Sequence, residues 1–204
     1  MWENQVGRSR AFTSFLLPRL KDRFGDELGM LSPDEFYRGV NHVRRSLIRV
    51  SADELTYNLH VAIRFELETA LFRNDLEVSD LPSAWNEKYE QRLGIRPPSE
   101  ADGVLQDMHW SMGGIGYFPT YALGNIYAAA FFAKAKQDLG DLDEDFRKGE
   151  TARLLKWLRD NIHSQAYRYE AKELAQKITG EPTTAKPLLD YLKDKYCTLY
   201  VVSA

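Results

Sequence analysis

The stretch DELTYNLHVAIRFELETALFR, residues 53–73, decides how the chain folds. Its apolar residues Leu55, Leu59, Ile63, Phe65 and Leu71 recur at helical rather than alternating spacing, which predicts a long helix with one buried stripe. The same period extends in both directions. Trp2 to Phe24 carries Val6, Phe12, Phe15, Leu16 and Leu20 between basic residues and reads as a helix bent at Pro18. Ser32-Pro33-Asp34-Glu35 reads as a helix start, with a serine cap, proline in the first turn and acids facing the positive end of the dipole, and the helix is expected to run to about Arg45. Residues Leu47 to Val50 read as extended. Further helices are expected at Pro82 to Leu93, Pro119 to Leu139, Glu150 to His163, Tyr169 to Ile178 and Pro187 to Leu199. Strand-type alternation is almost absent and no internal repeat or linker interrupts the pattern. The expected fold is therefore all-α with irregular connections, in one helical region over residues 1–204.

Composition narrows the function. The 204 residues are 44% hydrophobic and 28% charged, a balance that belongs to globular chains. Lys and Arg number 27 against 30 Asp and Glu, for a net charge of -3, so no basic surface calls for nucleic acid or an anionic membrane. The pair Arg44-Arg45 is too short to change that. The single cysteine, Cys197, excludes an internal disulfide and a CxxC zinc site and fits a reducing compartment. The longest apolar run, around Tyr121 to Ala133, contains Asn125 and ends at Lys134 and Lys136, too short for a bilayer span. With no secretory signal at the start, a cytoplasmic location is the expectation.

Chemistry is sparse. His42, His60, His109 and His163 are scattered, and none lies in H-E-x-x-H, where imidazoles one turn apart share a zinc ion. His60, Arg64 and Glu68 fall on one helix face at i, i+4 and i+8, a spacing that reads as a hydrogen-bonded ladder on the surface. The glycines of GGIG lack the lysine and hydroxyl residue of a phosphate loop. Nothing local nominates a base for a nucleophilic serine or cysteine.

Two stretches stand out. IRVSADELTYNLH, residues 48–60, joins an arginine to a pair of acids at a helix start. HWSMGGIGYFPTY, residues 109–121, gathers the donors His109, Tyr117 and Tyr121 around glycines, whose ordering is costly in backbone entropy. On periodicity alone this second stretch also fits an inert helix junction, with Tyr121, Asn125, Ala128 and Phe132 as plain core. Arg49 likewise fits an ion pair with Asp53 one turn along, and Asp53 and Glu54 fit ordinary acids of a helix N-terminus.

Both stretches resemble one family, the thermostable (Taq-type) zinc carboxypeptidases, in the segments I/L-R-x-x-A-D-E and G-Y-x-P-T-Y. The opening WENQVGRSRAF resembles the part of that family directly after an H-E-S/G-Q motif, and the resemblance covers essentially the whole chain. It implies that the chain is the C-terminal part of a larger helical zinc-peptidase domain. The family's two histidine ligands and general base, in H-E-x-x-H, and its third ligand, in H-E-S/G-Q, would lie upstream of Met1, through a partial reading frame or an artificial boundary. No metal is then expected on this chain alone, and no turnover.

For the parent enzyme the resemblance implies zinc, peptide substrates and release of C-terminal amino acids. His109, Tyr117 and Tyr121 would donate to the oxyanion of the transition state. Arg49 would anchor the substrate carboxylate, and Asp53 and Glu54 would orient the arginine or a ligand histidine. Arg8 and Arg10 read as a solvated or interdomain face. A homodimer, or self-association through an exposed apolar face, is expected. The alternative is a helical interaction or dimerisation module that has shed catalysis.

Overall fold

The computed structural model describes residues 1–201, and among these every regular element is a helix. In chain order they are α1 (Arg10–Arg23), α2 (Gly25–Leu28), α3 (Pro33–Val40), α4 (Tyr57–Phe72), α5 (Leu81–Leu93), α6 (Phe118–Leu139), α7 (Asp143–Lys148), α8 (Ala152–Asn161), α9 (Ala171–Thr179) and α10 (Lys186–Tyr200). The fold is all-α. No helix among the described residues is long and apolar enough to cross a membrane.

Packing divides the chain into two compact units: residues 42–124, and residues 1–41 together with the chain from Asn125 onward. In the latter unit Val6, Ala11, Ala135, Leu142, Phe146, Leu154, Trp157 and Leu158 form the core. The helix expected over Trp2 to Phe24 is broken there. Trp2–Gly7 is a π-type turn, Ser9 is extended at φ -73° and ψ 153°, and its hydroxyl accepts from the Phe12 amide to start α1. Pro18 lies inside α1. Ser32 and Glu35 cap α3 reciprocally, with Pro33 in its first turn. The helix stops at Val40, short of Arg45, because the buried Asn41 donates its side-chain amide to the Tyr37 and Arg8 carbonyls (2.9 and 3.1 Å). Helix α7 has no counterpart in the sequence reading. It is six residues long, under two turns, and periodicity cannot show at that length.

Residues 42–124 hold the second core, Ile63, Leu67, Leu81, Trp85, Tyr89 and Leu93. Ile48 is extended, and Arg49–Ser51 forms a single 3-10 turn. Helix α4 begins at Tyr57 rather than Asp53, since Asp53 Oδ1 accepts from the Leu55 and Thr56 amides (3.0 Å each) and makes a turn before the helix. Its expected stripe is only partly right. Ile63 is buried, but Leu59 and Phe65 are 37% and 52% exposed. The buried face is instead His60, Val61, Ile63, Arg64, Leu67 and Glu68, half of it polar.

Candidate active site

A helix face can bury charge only if each charge meets a partner as it leaves water. On α4 those partners come from the segment just before the glycine loop. Arg64 is fully buried and uses its whole fork: Nε donates to Asp107 Oδ2 (2.6 Å), Nη1 to the His60 carbonyl (2.8 Å) and the Tyr89 hydroxyl (3.2 Å), and Nη2 to Gln106 Oε1 (2.8 Å). The guanidinium lies 4.6 Å from the Trp85 ring centre. His60, Arg64 and Glu68 are thus an interior polar seam, not the surface ladder their spacing suggests.

Arg49 joins the same carboxylate. Its Nε and Nη2 donate to Asp107 Oδ1 (3.2 and 2.7 Å), and Nη1 donates to the Tyr57 hydroxyl (3.1 Å). Its ion-pair partner is therefore Asp107 rather than Asp53, whose oxygens are taken up by the Leu55 and Thr56 amides, the Thr56 hydroxyl and the Arg44 amide. Gln106 fixes the arrangement: its carbonyl accepts from the Arg49 amide and Arg64, and its NH2 donates to the Leu47 and Asp102 carbonyls (3.0 Å each). Two guanidiniums on one carboxylate leave a net charge of about +1 on the group.

The electrostatics follow from these contacts. Burial works against ionisation of Asp107, but hydrogen bonds and charge from Arg49 and Arg64 hold its carboxyl below the ordinary value. Burial likewise opposes the charge on Arg49, and Asp107 with Tyr57 more than offsets it, so its pKa lies above the usual arginine value. Burial, helped by the Arg64 charge, pushes His60 down to about 4. His60 Nδ1 shares a hydrogen bond with the Tyr89 hydroxyl (3.1 Å), which also reaches the Leu47 carbonyl and accepts from Arg64. Its Nε2 is buried with no hydrogen-bond partner among the described residues.

Beside this seam the glycine loop places the aromatic donors. His109 Nε2 lies 3.1 Å from the Tyr121 hydroxyl, and the His109 ring packs against Tyr117 (5.6 Å) and Phe118 (4.5 Å). The Tyr117 and Tyr121 rings meet edge to face at 5.4 Å, and the Tyr121 ring centre is 4.9 Å from the Arg49 guanidinium. Gly113 and Gly116 both have φ +75°, a conformation that lets the loop reverse beneath these rings. Arg49, His109, Tyr117 and Tyr121 therefore come together in space. Asp53 and Glu54 are buried at the turn before α4.

Gln106, Asp107, Arg64 and Glu68 were not singled out as site residues by sequence reasoning. The signal available was the pair Gln106-Asp107 directly before His109-Trp110, two polar residues in an otherwise loop-like stretch. Among the described residues no three His, Cys, Asp or Glu side chains are grouped to hold a metal ion, and the charged pairs here are already matched to each other. These residues do not fit a metal centre.

Residues 1–196 match the family model described as Carboxypeptidase Taq (M32) metallopeptidase. The chain is 50% identical to thermostable carboxypeptidase 1 of Thermus thermophilus over 98% of its own length and 39% of that protein's. It is 41% identical to carboxypeptidase 1 of Bacillus subtilis, over 98% and 40% of the two. Among solved structures, the M32 carboxypeptidase of Deinococcus radiodurans superposes with a TM-score of 0.96 at 48% identity, covering 98% of this chain and 41% of that one. Metallocarboxypeptidase 1 of Trypanosoma cruzi gives 0.91 at 37% identity, with 95% and 41% covered. The chain thus spans about 40% of the length of the carboxypeptidases it matches. Sequence and fold agree over nearly all of it, and the chain belongs to the Taq-type (M32) carboxypeptidase family of metallopeptidases.

Proposed function

We propose that this chain supplies the C-terminal portion of a zinc-dependent carboxypeptidase, carrying substrate-binding and transition-state contacts while the zinc ligands come from the part of the family's length it does not cover. On its own it would not hydrolyse peptides. The observation that supports this most is the position of Tyr121, whose hydroxyl meets His109 while its ring covers the Arg49 guanidinium.

A zinc ion, held by residues outside this chain, would supply the activated water for attack. This chain's residues do the rest. As the peptide carbonyl becomes tetrahedral, its oxygen gains charge, and the Tyr117 hydroxyl and the hydrogen-bonded Tyr121–His109 pair, in which one partner's proton is spent on the other, stabilise it, each free donor contributing about 3 kcal/mol in the transition state. Arg49 anchors the free C-terminal carboxylate. Three of its five N–H groups are on Asp107 and Tyr57, and the net positive charge of the Arg49–Asp107–Arg64 group favours an anion there. Asp53 holds the turn between the Arg49 segment and α4, and Glu54 is buried next to it in sequence, where the pair would orient Arg49 or a ligand histidine. Exposed apolar side chains on α4, Phe65 and Phe72 among them, provide a surface for self-association.

The test is a chimera in which the N-terminal portion of the Thermus thermophilus relative precedes this chain. Metal-dependent release of single C-terminal residues by the chimera, and none by the 204-residue chain, is the expected result. A chimera that folds and binds metal without peptidase activity would leave the non-catalytic helical module as the better account. Activity of the isolated chain would refute the division of labour proposed here.

A further inference from the structure

Glu68 has no assigned role, yet its position is unusual: a carboxylate on α4, 6% exposed, reaching the glycine loop at two points. Its Oε1 accepts from the backbone amide of Gly116, and its Oε2 from the Trp110 indole Nε1 (3.4 Å). Gly116 immediately precedes Tyr117, and Trp110 immediately follows His109. One carboxylate therefore ties together the two ends of the loop that bears the donors.

Arg64 ties Gln106 and Asp107, just before the loop, to α4, and other contacts set the loop's internal shape. The Gly114 amide donates to the His109 carbonyl (2.7 Å) and the Gly113 amide to the Trp110 carbonyl (3.0 Å), both within the loop. The Trp110 ring meets Phe118 and Trp85 edge to face (5.8 and 6.2 Å), contacts that confine it but leave it free to slide. Among the described residues, Glu68 is the α4 side chain that makes directional, charge-assisted bonds to both ends of loop 109–117. The φ of Gly116, +75°, accompanies an amide turned toward that carboxylate.

We propose that Glu68 is a positioning residue that holds loop 109–117 against α4 and so fixes where His109, Tyr117 and Tyr121 present their donors. The catalytic part of this statement rests on the function proposed above; the grip itself does not.

The grip is tested on the 204-residue chain by proton–nitrogen NMR. Glu68→Gln keeps the side chain's shape but turns an NH2 group against one of the two donors. The Gly116 amide and the Trp110 indole proton should then shift, and Gly116 should exchange with solvent about tenfold faster, while α5 amides stay put. Trp110→Phe removes one of the two bonds and should give a smaller loosening, which covers the case in which Glu68→Gln disturbs folding. In the chimera, Glu68→Gln should lower kcat about tenfold with KM and bound metal little changed. If the loop loosens but kcat holds, the grip stands and the donor roles of His109, Tyr117 and Tyr121 fail. Unchanged Gly116 exchange and an unmoved Trp110 indole in folded Glu68→Gln would overturn the proposal, whatever happens to kcat.

Discussion

Arg49 and Arg64 are bound to opposite oxygens of one carboxylate, with Arg49 Nη2 2.7 Å from Asp107 Oδ1 and Arg64 Nε 2.6 Å from Oδ2. Two like charges that would repel are thereby made neighbours, and the arrangement depends on a residue from outside either segment. Asp107→Asn should leave both guanidiniums buried against a neutral amide and lower stability by about 3–5 kcal/mol in urea unfolding. A loss below about 1 kcal/mol would mean that water replaces the carboxylate and that the group is not truly interior.

Acid should weaken the same region first through His60. The folded imidazole titrates near 4 and the unfolded one near 6.5, so between these values the unfolded chain binds the extra proton. The stabilisation, complete above pH 6.5, shrinks as pH falls and is gone below about 4, a total of about 3 kcal/mol. Asp107, whose carboxyl is held below its ordinary value, adds a loss in the same direction at still lower pH. His60→Gln should flatten the urea midpoint between pH 6.5 and 4.5. An equally steep slope in the variant would assign the acid sensitivity elsewhere.

In the chimera, Tyr121→Phe and Tyr117→Phe each delete one hydroxyl and leave a ring in place. Each should lower kcat by the equivalent of about 2–4 kcal/mol with little change in KM. Arg49→Met should instead raise KM and erode the preference for a free C-terminus. Indifference of the chimera to all three substitutions would remove the site assignment.

Gly149 and Gly180 provide a matched pair for backbone strain. Both end a helix in the left-handed region, at φ +75° and +78°, but an added Cβ would run into the Phe15 ring at Gly149 and meet nothing at Gly180. Gly180→Ala should cost about 1 kcal/mol from strain alone. Gly149→Ala should cost about 1–3 kcal/mol more, as Phe15 gives up its packing on Phe12 and the Arg19 guanidinium. Equal losses in urea unfolding would show that the ring moves aside freely.

What sequence reveals here follows the range of the interaction responsible. The Ser32–Glu35 cap and the start of α3 are readable because both partners lie within four residues. The ends of α5 and α6 are readable for the same local reasons, a helix period closed by Gly94 or opened beside Pro119. Helix α3 runs short because Asn41 answers to the Arg8 carbonyl, far back in the chain. The seam on α4 is harder still. His60, Arg64 and Glu68 have the spacing of a surface ladder, and their burial is compensated by residues distant in sequence: Tyr89, Gln106, Asp107, Trp110 and Gly116. Phe65 and Phe72 are displaced to the outside by that seam, which inverts what hydropathy alone predicts for the helix. In the candidate site, the motif residues Arg49, His109 and Tyr121 were found by resemblance, whereas Asp107, which joins Arg49 to Arg64, shows its importance only when their side chains meet in three dimensions.

The cation seated over Trp85 gives the molecule a built-in optical probe. Trp85 has the Arg64 guanidinium on its face, Tyr89 stacked at 5.2 Å and Trp110 edge-on, whereas Trp157, in the other compact unit, hydrogen-bonds Asp138 at 2.9 Å. A positive charge against an indole perturbs the energy of its excited state, so the emission of Trp85 must change as soon as Arg64 leaves it. Trp157 is blind to that event. With Trp85 or Trp157 kept as the lone bright indole, fluorescence would time the opening of each half of the chain separately, without any dye attached.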